Sequence, residues 1–152
     1  MILCDLGAVL EQRISVVTLG VTDMKRSISF YESMCWEKSA GDGEAVAFFQ
    51  MPGLVFGLYG MADLAEDAGQ ARNETPGFGG MAVAHNVASK AEVDRILAKA
   101  VTCGAVITRA AEDQFWGGYS GYFADPDGHA WEIAWNPHWQ ITADGQTRMG
   151  TD

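Results

Sequence analysis

The sequence predicts an α+β fold in which one order of elements, strand then helix then strands, runs twice along the chain. Three observations carry that reading. Short runs rich in β-branched and aromatic residues alternate with turn dipeptides. Two segments place apolar residues at helical spacing behind a capping side chain. An acidic stretch ending in Pro76-Gly77 separates the two series.

Ile14 to Val21 is short and β-branched and reads as a strand. Asp23 then offers an N-cap carboxylate, and Met24, Ile28, Tyr31 and Cys35 recur at spacings of 4, 3 and 4 along one helical face. After a turn at Asp42-Gly43, Ala45–Met51 and Leu54–Tyr59 form a hairpin across Pro52-Gly53. From Ala45 to Ala62 the only clearly polar side chain is Gln50. Pro52-Gly53 splits that run, and each half falls far short of the roughly 20 residues that span a bilayer. Residues 61–77 read as a linker or a short exposed helix.

The second series opens with a short apolar strand from Gly80 to Val87. Ser89 and Glu92 form a capping box, and Val93, Ile96, Leu97 and Ala100 supply the buried stripe of a helix that ends before Gly104. Ala105–Arg109 is a further strand. Tyr119–Ala124 and His129–Trp135 pair across Asp125-Pro126-Asp127-Gly128, where proline presets φ and glycine accepts a positive φ. The repeat lies in the pattern rather than in residue identity.

With 152 residues, roughly 70% of the unfolded surface can be buried without a disulfide or metal staple. Hydrophobic residues at 48% against 20% charged exclude a disordered chain. A net charge of −10 leaves no cationic footprint for nucleic acid or an anionic membrane. Cys4, Cys35 and Cys103 support neither a disulfide framework nor a thiolate zinc site, which suits a reducing cytoplasm. Met1 to Leu10 has no basic residue and does not read as a signal peptide.

Two stretches carry a family resemblance. Val17-Thr18-Leu19-Gly20-Val21-Thr22-Asp23-Met24, followed by Ser27 to Tyr31, resembles the opening of a vicinal-oxygen-chelate module. Tyr122-Phe123-Ala124-Asp125-Pro126-Asp127-Gly128-His129-Ala130-Trp131-Glu132 resembles its closing hairpin. This superfamily includes glyoxalase I, extradiol dioxygenases, fosfomycin-resistance enzymes and bleomycin-resistance proteins. The resemblance covers about residues 13 to 137. It implies two βαβββ modules forming curled mixed sheets around a concave cavity, the glyoxalase/bleomycin-resistance/dioxygenase-like fold. Residues 13–60 and 78–137 would be the modules, 61–77 the linker, 1–12 an N-terminal extension and 138–152 a C-terminal tail. Homodimers are frequent in the family, and some build the cavity across the subunit interface.

Family enzymes hold a divalent metal from four inward positions. The motif alignment puts Val16, Gly57, Gly80 and Glu132 there, so only Glu132 retains a donor side chain. The resemblance therefore implies no metal and no other cofactor. Alternation along strands sets Gly57 and Gly80 on one face with Val55, Tyr59, Ala82 and Ala84. Either these small residues mark a tightly closed sheet, or they clear room for a ligand. The pocket reading takes in Val16, Thr18, Gln50, Gly57, Tyr59, Gly80, Ala82, Trp116, Tyr119, Tyr122 and Glu132. Glu132 would be its general base or hydrogen-bonding anchor, and Gln50 a specificity group or simply a strand-end residue. Phe115 to Tyr122 reads as a hinged loop over the mouth or as an edge strand. Whether Tyr119 or Tyr122 joins Glu132 depends on the Asp125–Gly128 turn; a type I turn with a bulge at Gly128 favours Tyr122. Gly118 to Gly121 is one residue short of a nucleophile elbow, which excludes a serine hydrolase.

His85 has the parity opposite to Ala82 and Ala84, and His129 and His138 read as turn or tail residues. Trp131, Trp135, Trp139 and Phe56 point away from the cavity by the same parity. Five tryptophans in so small a chain ask for a second layer, so a homodimer is expected. The function implied is binding of a small apolar or aromatic molecule, of the bleomycin-resistance kind, with a cationic ligand suiting the net charge. The alternative is a metal-dependent lyase or dioxygenase, glyoxalase I-like or extradiol-dioxygenase-like, with ligands unrecognised or supplied by a partner subunit.

Overall fold

A computed structural model of the chain describes residue 10, residues 12–71 and residues 77–150. Most of the expected N-terminal extension, with Cys4, lies outside the described residues, as does part of the expected linker, residues 72–76. In chain order the elements are β1 (Val16–Val21), α1 (Met24–Ser33), β2 (Val46–Met51), β3 (Leu54–Gly60), α2 (Met61–Asp67), β4 (Ala82–Val87), α3 (Lys90–Thr102), β5 (Val106–Asp113), β6 (Tyr119–Ala124), β7 (Ala130–Trp135), β8 (Trp139–Ile141) and β9 (Thr147–Met149). The first sheet has the order β1-β3-β2 and the second β4-β7-β6-β5. In each the opening strand is parallel to the closing one, and the remaining neighbours are antiparallel.

The two sheets repeat one topology, with β1, β2 and β3 matched by β4, β6 and β7. The first sheet departs from the expected βαβββ pattern. Its counterpart of β5 is reduced to a single bridge between Ala40 and Phe48. Gly41 and Gly43 take φ of 93° and 78° just after it, which breaks the extended backbone a strand needs. The expected C-terminal tail instead contains the β8–β9 hairpin, whose Gly145 lies against Pro52.

Local capping follows the sequence. Asp23 accepts a bond from Arg26 N–H at the start of α1, and Ser89 accepts one from Glu92 N–H at the start of α3. The Glu92 carboxylate reaches back one residue past the cap, accepting from Ala88 N–H at 2.9 Å and from the Ser89 hydroxyl. Both helices end alike. Trp36 N–H reaches the carbonyl of Tyr31 and Cys35 N–H that of Glu32; Ala105 and Gly104 do the same with Ala100 and Val101. This is the Schellman arrangement, which requires a left-handed residue. Gly104 supplies it at φ 108° in the second module, but Cys35 must adopt φ 70° in the first.

Alternation then decides what is buried. Leu19, Val21, Ala47, Phe49, Phe56 and Leu58 face α1, while Phe123, Trp131 and Ile133 share the helix side of the second sheet with Val93 and Leu97. The two helix-bearing sides meet in one aromatic core. Phe56 and Trp131 have ring centroids 5.7 Å apart, Tyr31 and Trp131 6.0 Å, and Phe30 and Phe123 6.1 Å. Trp131 and Phe56 thus leave water within one chain and need no second copy to do so. Inside this core Tyr31 donates to Asp125 at 2.7 Å and accepts from the Trp131 indole at 3.2 Å. Burial, then the Asp125 charge, push its phenol pKa far up. The β6–β7 turn also ties the modules together. Asp127 accepts from Thr22 N–H, Thr22 Oγ1 and Ser27 Oγ at 2.8–2.9 Å and pairs with Arg26.

Candidate functional site

Because the sides bearing α1 and α3 are turned inward, each sheet keeps a second face away from those two helices. On the first sheet, register aligns Val16, Val55 and Gln50 in one row, Thr18, Gly57 and Phe48 in the next, and Gly20, Tyr59 and Val46 in the third. On the second sheet the rows are Ala82, Ala130 and Ala124, then Ala84, Glu132, Tyr122 and Arg109. The expected pocket residues are therefore divided between two faces. Val16, Thr18, Gln50, Gly57 and Tyr59 lie on one, and Ala82, Tyr122 and Glu132 on the other. The faces border each other at a seam pocket of about 720 Å³, where Thr18 and Gly20 meet Met81, His129 and Ala130 under α2.

The β6–β7 turn fixes which tyrosine accompanies Glu132. Gly128 N–H bonds the Asp125 carbonyl, Asp125 N–H bonds the His129 carbonyl, and Gly128 sits at φ 87°. This is the turn-plus-bulge geometry, and it sets Tyr122 directly opposite Glu132. Burial, followed by the Glu132 charge, pushes the Tyr122 phenol pKa up. Tyr119 faces the other way. It donates to Asp94 of α3 at 2.8 Å, with Lys90 5.5 Å above its ring. The Asp94 bond is the largest influence raising its phenol pKa. It does not join the Glu132 wall.

Other expected positions also change. Gly80 precedes β4 and takes φ 83° with open space around it, so it belongs to the turn rather than to an inner strand face. β1 and β4 open opposite Val55 and Ala130, so the residue matching Val16 in the second module is Ala82. Gly57 and Glu132 hold matching places in β3 and β7. Of these four positions, Val16, Gly57, Ala82 and Glu132, the first three carry no donor side chain. The space over Gly57 is not clear: a Cβ there would lie 3.2 Å from the Phe48 ring and 3.3 Å from Thr18 Oγ1. Trp116 folds back on Gly118 within the β5–β6 turn, so close that any Cβ on Gly118 would enter its ring. The Gln50 amide donates to the carbonyls of Met51 and Leu54, holding its own turn.

Phe48 and Arg109 escaped the sequence reading, although pairing across each hairpin places them beside Gly57 and Tyr122. Arg109 is held by Glu112 at 3.0 Å and by Gln114. Met61 escaped as well; its sulfur would meet a Cβ on Gly20 at 2.7 Å, so α2 roofs one end of the first face. The histidines do not converge. His129 Nε2 lies 2.7 Å from the Gly20 carbonyl, His85 points to the helix side, and His138 is exposed. Among the described residues no three His, Cys, Asp or Glu side chains form a metal-sized cluster.

Comparison with known proteins adds kinship to this geometry. At 40% identity the chain is similar to a glyoxalase-related enzyme from Fulvimarina pelagi, over 92% of this chain and 99% of that one, with a TM-score of 0.84. It is 29% identical over 122 residues to the metallothiol transferase FosB of Lysinibacillus sphaericus, covering 80% of this chain and 81% of the relative. A lactoylglutathione lyase from Agrobacterium tumefaciens, 20% identical, shares the fold at a TM-score of 0.61, over 82% of this chain and 94% of that one. The family model for the glyoxalase/bleomycin resistance protein/dioxygenase superfamily matches residues 13–133, and it is to this superfamily that the chain belongs.

Proposed function

We propose that the chain binds a small apolar or aromatic molecule carrying a positive charge, without a resident divalent metal. The observation that carries this is the cross-strand pairing of Glu132 with Tyr122 on a face otherwise lined by Ala82, Ala84, Ala124 and Ala130. Arg109 at its edge is already held by Glu112 and Gln114. Val16, Gly57 and Ala82 offer nothing to a cation, and a divalent ion held by one carboxylate keeps nearly its whole water shell. A carboxylate set beside a phenol is instead an anchor for an ammonium or similar head group. The Phe48 ring over Gly57 supplies an aromatic wall on the other face. The two walls close on one ligand when a second copy sets the first face of one chain against the second face of its partner. The reading therefore includes a homodimer with a shared site.

A second reading is favoured by the names of two relatives, a glyoxalase-related enzyme and a metallothiol transferase. It makes the chain a metal-dependent enzyme whose missing ligands come from elsewhere. Metal analysis of untagged protein purified without chelator separates the two. The binding reading expects well under one equivalent of Zn, Ni, Mn or Fe, and Glu132→Gln that weakens a cationic aromatic ligand more than a neutral one. Stoichiometric metal that disappears in Glu132→Ala establishes the enzyme reading instead.

A further inference from the structure

The geometry points to a second ligand site on the helix side of the fold, a cleft between α1 and α3 that takes one aromatic ring bearing a carboxylate. The cleft has a volume of about 130 Å³. Cavities of roughly 150 Å³ lined by aliphatic and aromatic side chains stay dry and hold benzene. Its floor is the buried set Phe30, Tyr31, Phe123, Trp131 and Ile133, and its walls are the half-buried Met34, Trp36 and Ile96. The two polar side-chain atoms in that floor are already engaged: the Trp131 indole N–H donates to the Tyr31 hydroxyl, which donates to Asp125. A single ring matches both the size and the apolarity.

The mouth carries different chemistry. His85 and Lys99, each reaching solvent at the rim, complete the lining. His85 occupies the position that Leu19 fills in the first module, where the side chain is only 2% exposed and packs in the core. The second module thus sets an imidazole where the fold accepts a leucine, and the cleft opens beside it. Partial burial of its ring against the cleft holds the His85 imidazole below its ordinary pKa, with the nearby Glu92 charge opposing. The Glu92 carboxylate is itself engaged by Ala88 N–H, Ser89 and Arg95. Lys99 supplies the one ammonium of the lining, with its methylenes free to lie along the apolar wall. A carboxylate at the mouth with its ring on the aromatic floor satisfies both ends. This ligand is opposite in charge to the one assigned to the Glu132 face, so the two sites are separable by experiment.

Benzoate, benzyl alcohol and benzylammonium titrated into the full chain test the assignment, followed by methyl NMR shifts of Met34, Ile96 and Ile133 and by tryptophan fluorescence. Saturable shifts at these methyls are expected, tightest for benzoate and weakest for benzylammonium. Lys99→Met should weaken benzoate about fivefold and leave benzyl alcohol within twofold. His85→Leu, which installs the first module's residue, keeps the fold and should also act on benzoate alone. Ile96→Trp, confirmed as folded by circular dichroism, should remove all three ligands. The site is refuted if no ligand gives saturable shifts at Met34 and Ile96. It is equally refuted if shifts fall only on the Glu132 face, or if benzoate binds Lys99→Met and His85→Leu as it binds the parent.

Discussion

The two modules place different chemistry on the same backbone. Phe48 and Gly57 are paired in the first sheet as Tyr122 and Glu132 are in the second. One pair is a ring lying over a glycine, the other a phenol set opposite a carboxylate. On the opposite side of the same strands the matched residues are Phe56 and Trp131, both large, apolar and buried, with rings in contact. Folding therefore constrains the helix side of each sheet to apolar volume. The face away from α1 and α3 is released from that demand, and there the modules have diverged.

The largest expected effects test the shared core. Trp131→Ala and Phe56→Ala should each destabilise by about 3–5 kcal/mol in denaturant melts, as truncated buried aromatics do. Because the rings touch, the double variant should lose less than the sum, with a coupling of about 0.5–1.5 kcal/mol. Full additivity would mean that the modules do not share one core.

Next come the matched hairpin turns. Pro52-Gly53 makes no hydrogen bond to the other module among the described residues, whereas Asp127 bonds Thr22 and Ser27 and pairs with Arg26. Asp127→Ala should destabilise by about 2–3 kcal/mol, and Pro52→Ala by less than about 1 kcal/mol. Burial raises the Asp127 pKa, but its bonds and the Arg26 charge outweigh that and hold it below the ordinary 3.8. A depressed folded pKa contributes stability above the unfolded value and loses it as pH falls through the folded one. The difference between parent and Asp127→Ala should stay flat from neutrality down to roughly pH 5 and shrink below that. A difference that grows on acidification would contradict the assignment.

Much of this fold was legible because its signals are local. The Ser89 cap with its Glu92 partner, the carboxylate cap at Asp23 and the bulged turn at Gly128 each depend on a few neighbouring residues. Period-2 alternation likewise placed Gly57 with Val55 and Tyr59, and His85 away from Ala84. What could not be read is how one sheet lies against another. Alternation says which residues share a face and nothing about what that face meets, so Trp131 and Phe56 looked like dimer material although they meet each other. Gly80 was misplaced for a related reason. An apolar run does not reveal where a strand begins when its first glycine has turned to positive φ. The ring over Gly57 is a cross-strand contact that only register discloses.

That contact yields an intermediate prediction. Gly57→Leu forces the Phe48 ring and the Thr18 hydroxyl to move, which should destabilise by about 1–2 kcal/mol. In a Phe48→Ala background the same substitution should cost markedly less, because the side chain then enters vacated space. Equal costs in both backgrounds would show that backbone rather than Phe48 limits Gly57, and that the first face has no aromatic wall.

The smallest effect lies at the helix ends, where the comparison between modules is closest. Both α1 and α3 end in the same bond pattern, and both require a left-handed residue at the position after the cap. Gly104 meets that requirement without a Cβ, whereas Cys35 carries its side chain at φ 70°. The strained geometry persists because the following residue is fixed: Trp36 stacks on Tyr31 at 5.1 Å and places its N–H on the Tyr31 carbonyl. Exchanging the residues should therefore move stability in opposite directions. Cys35→Gly relieves the side-chain clash and should stabilise by about 0.5–1 kcal/mol, while Gly104→Cys introduces it and should destabilise by a similar amount. The side chain at Cys35 is exposed, so its removal vacates no core volume that would mask the gain. A Cys35→Gly variant no more stable than the parent would mean that packing of Trp36, rather than backbone strain, decides how α1 ends.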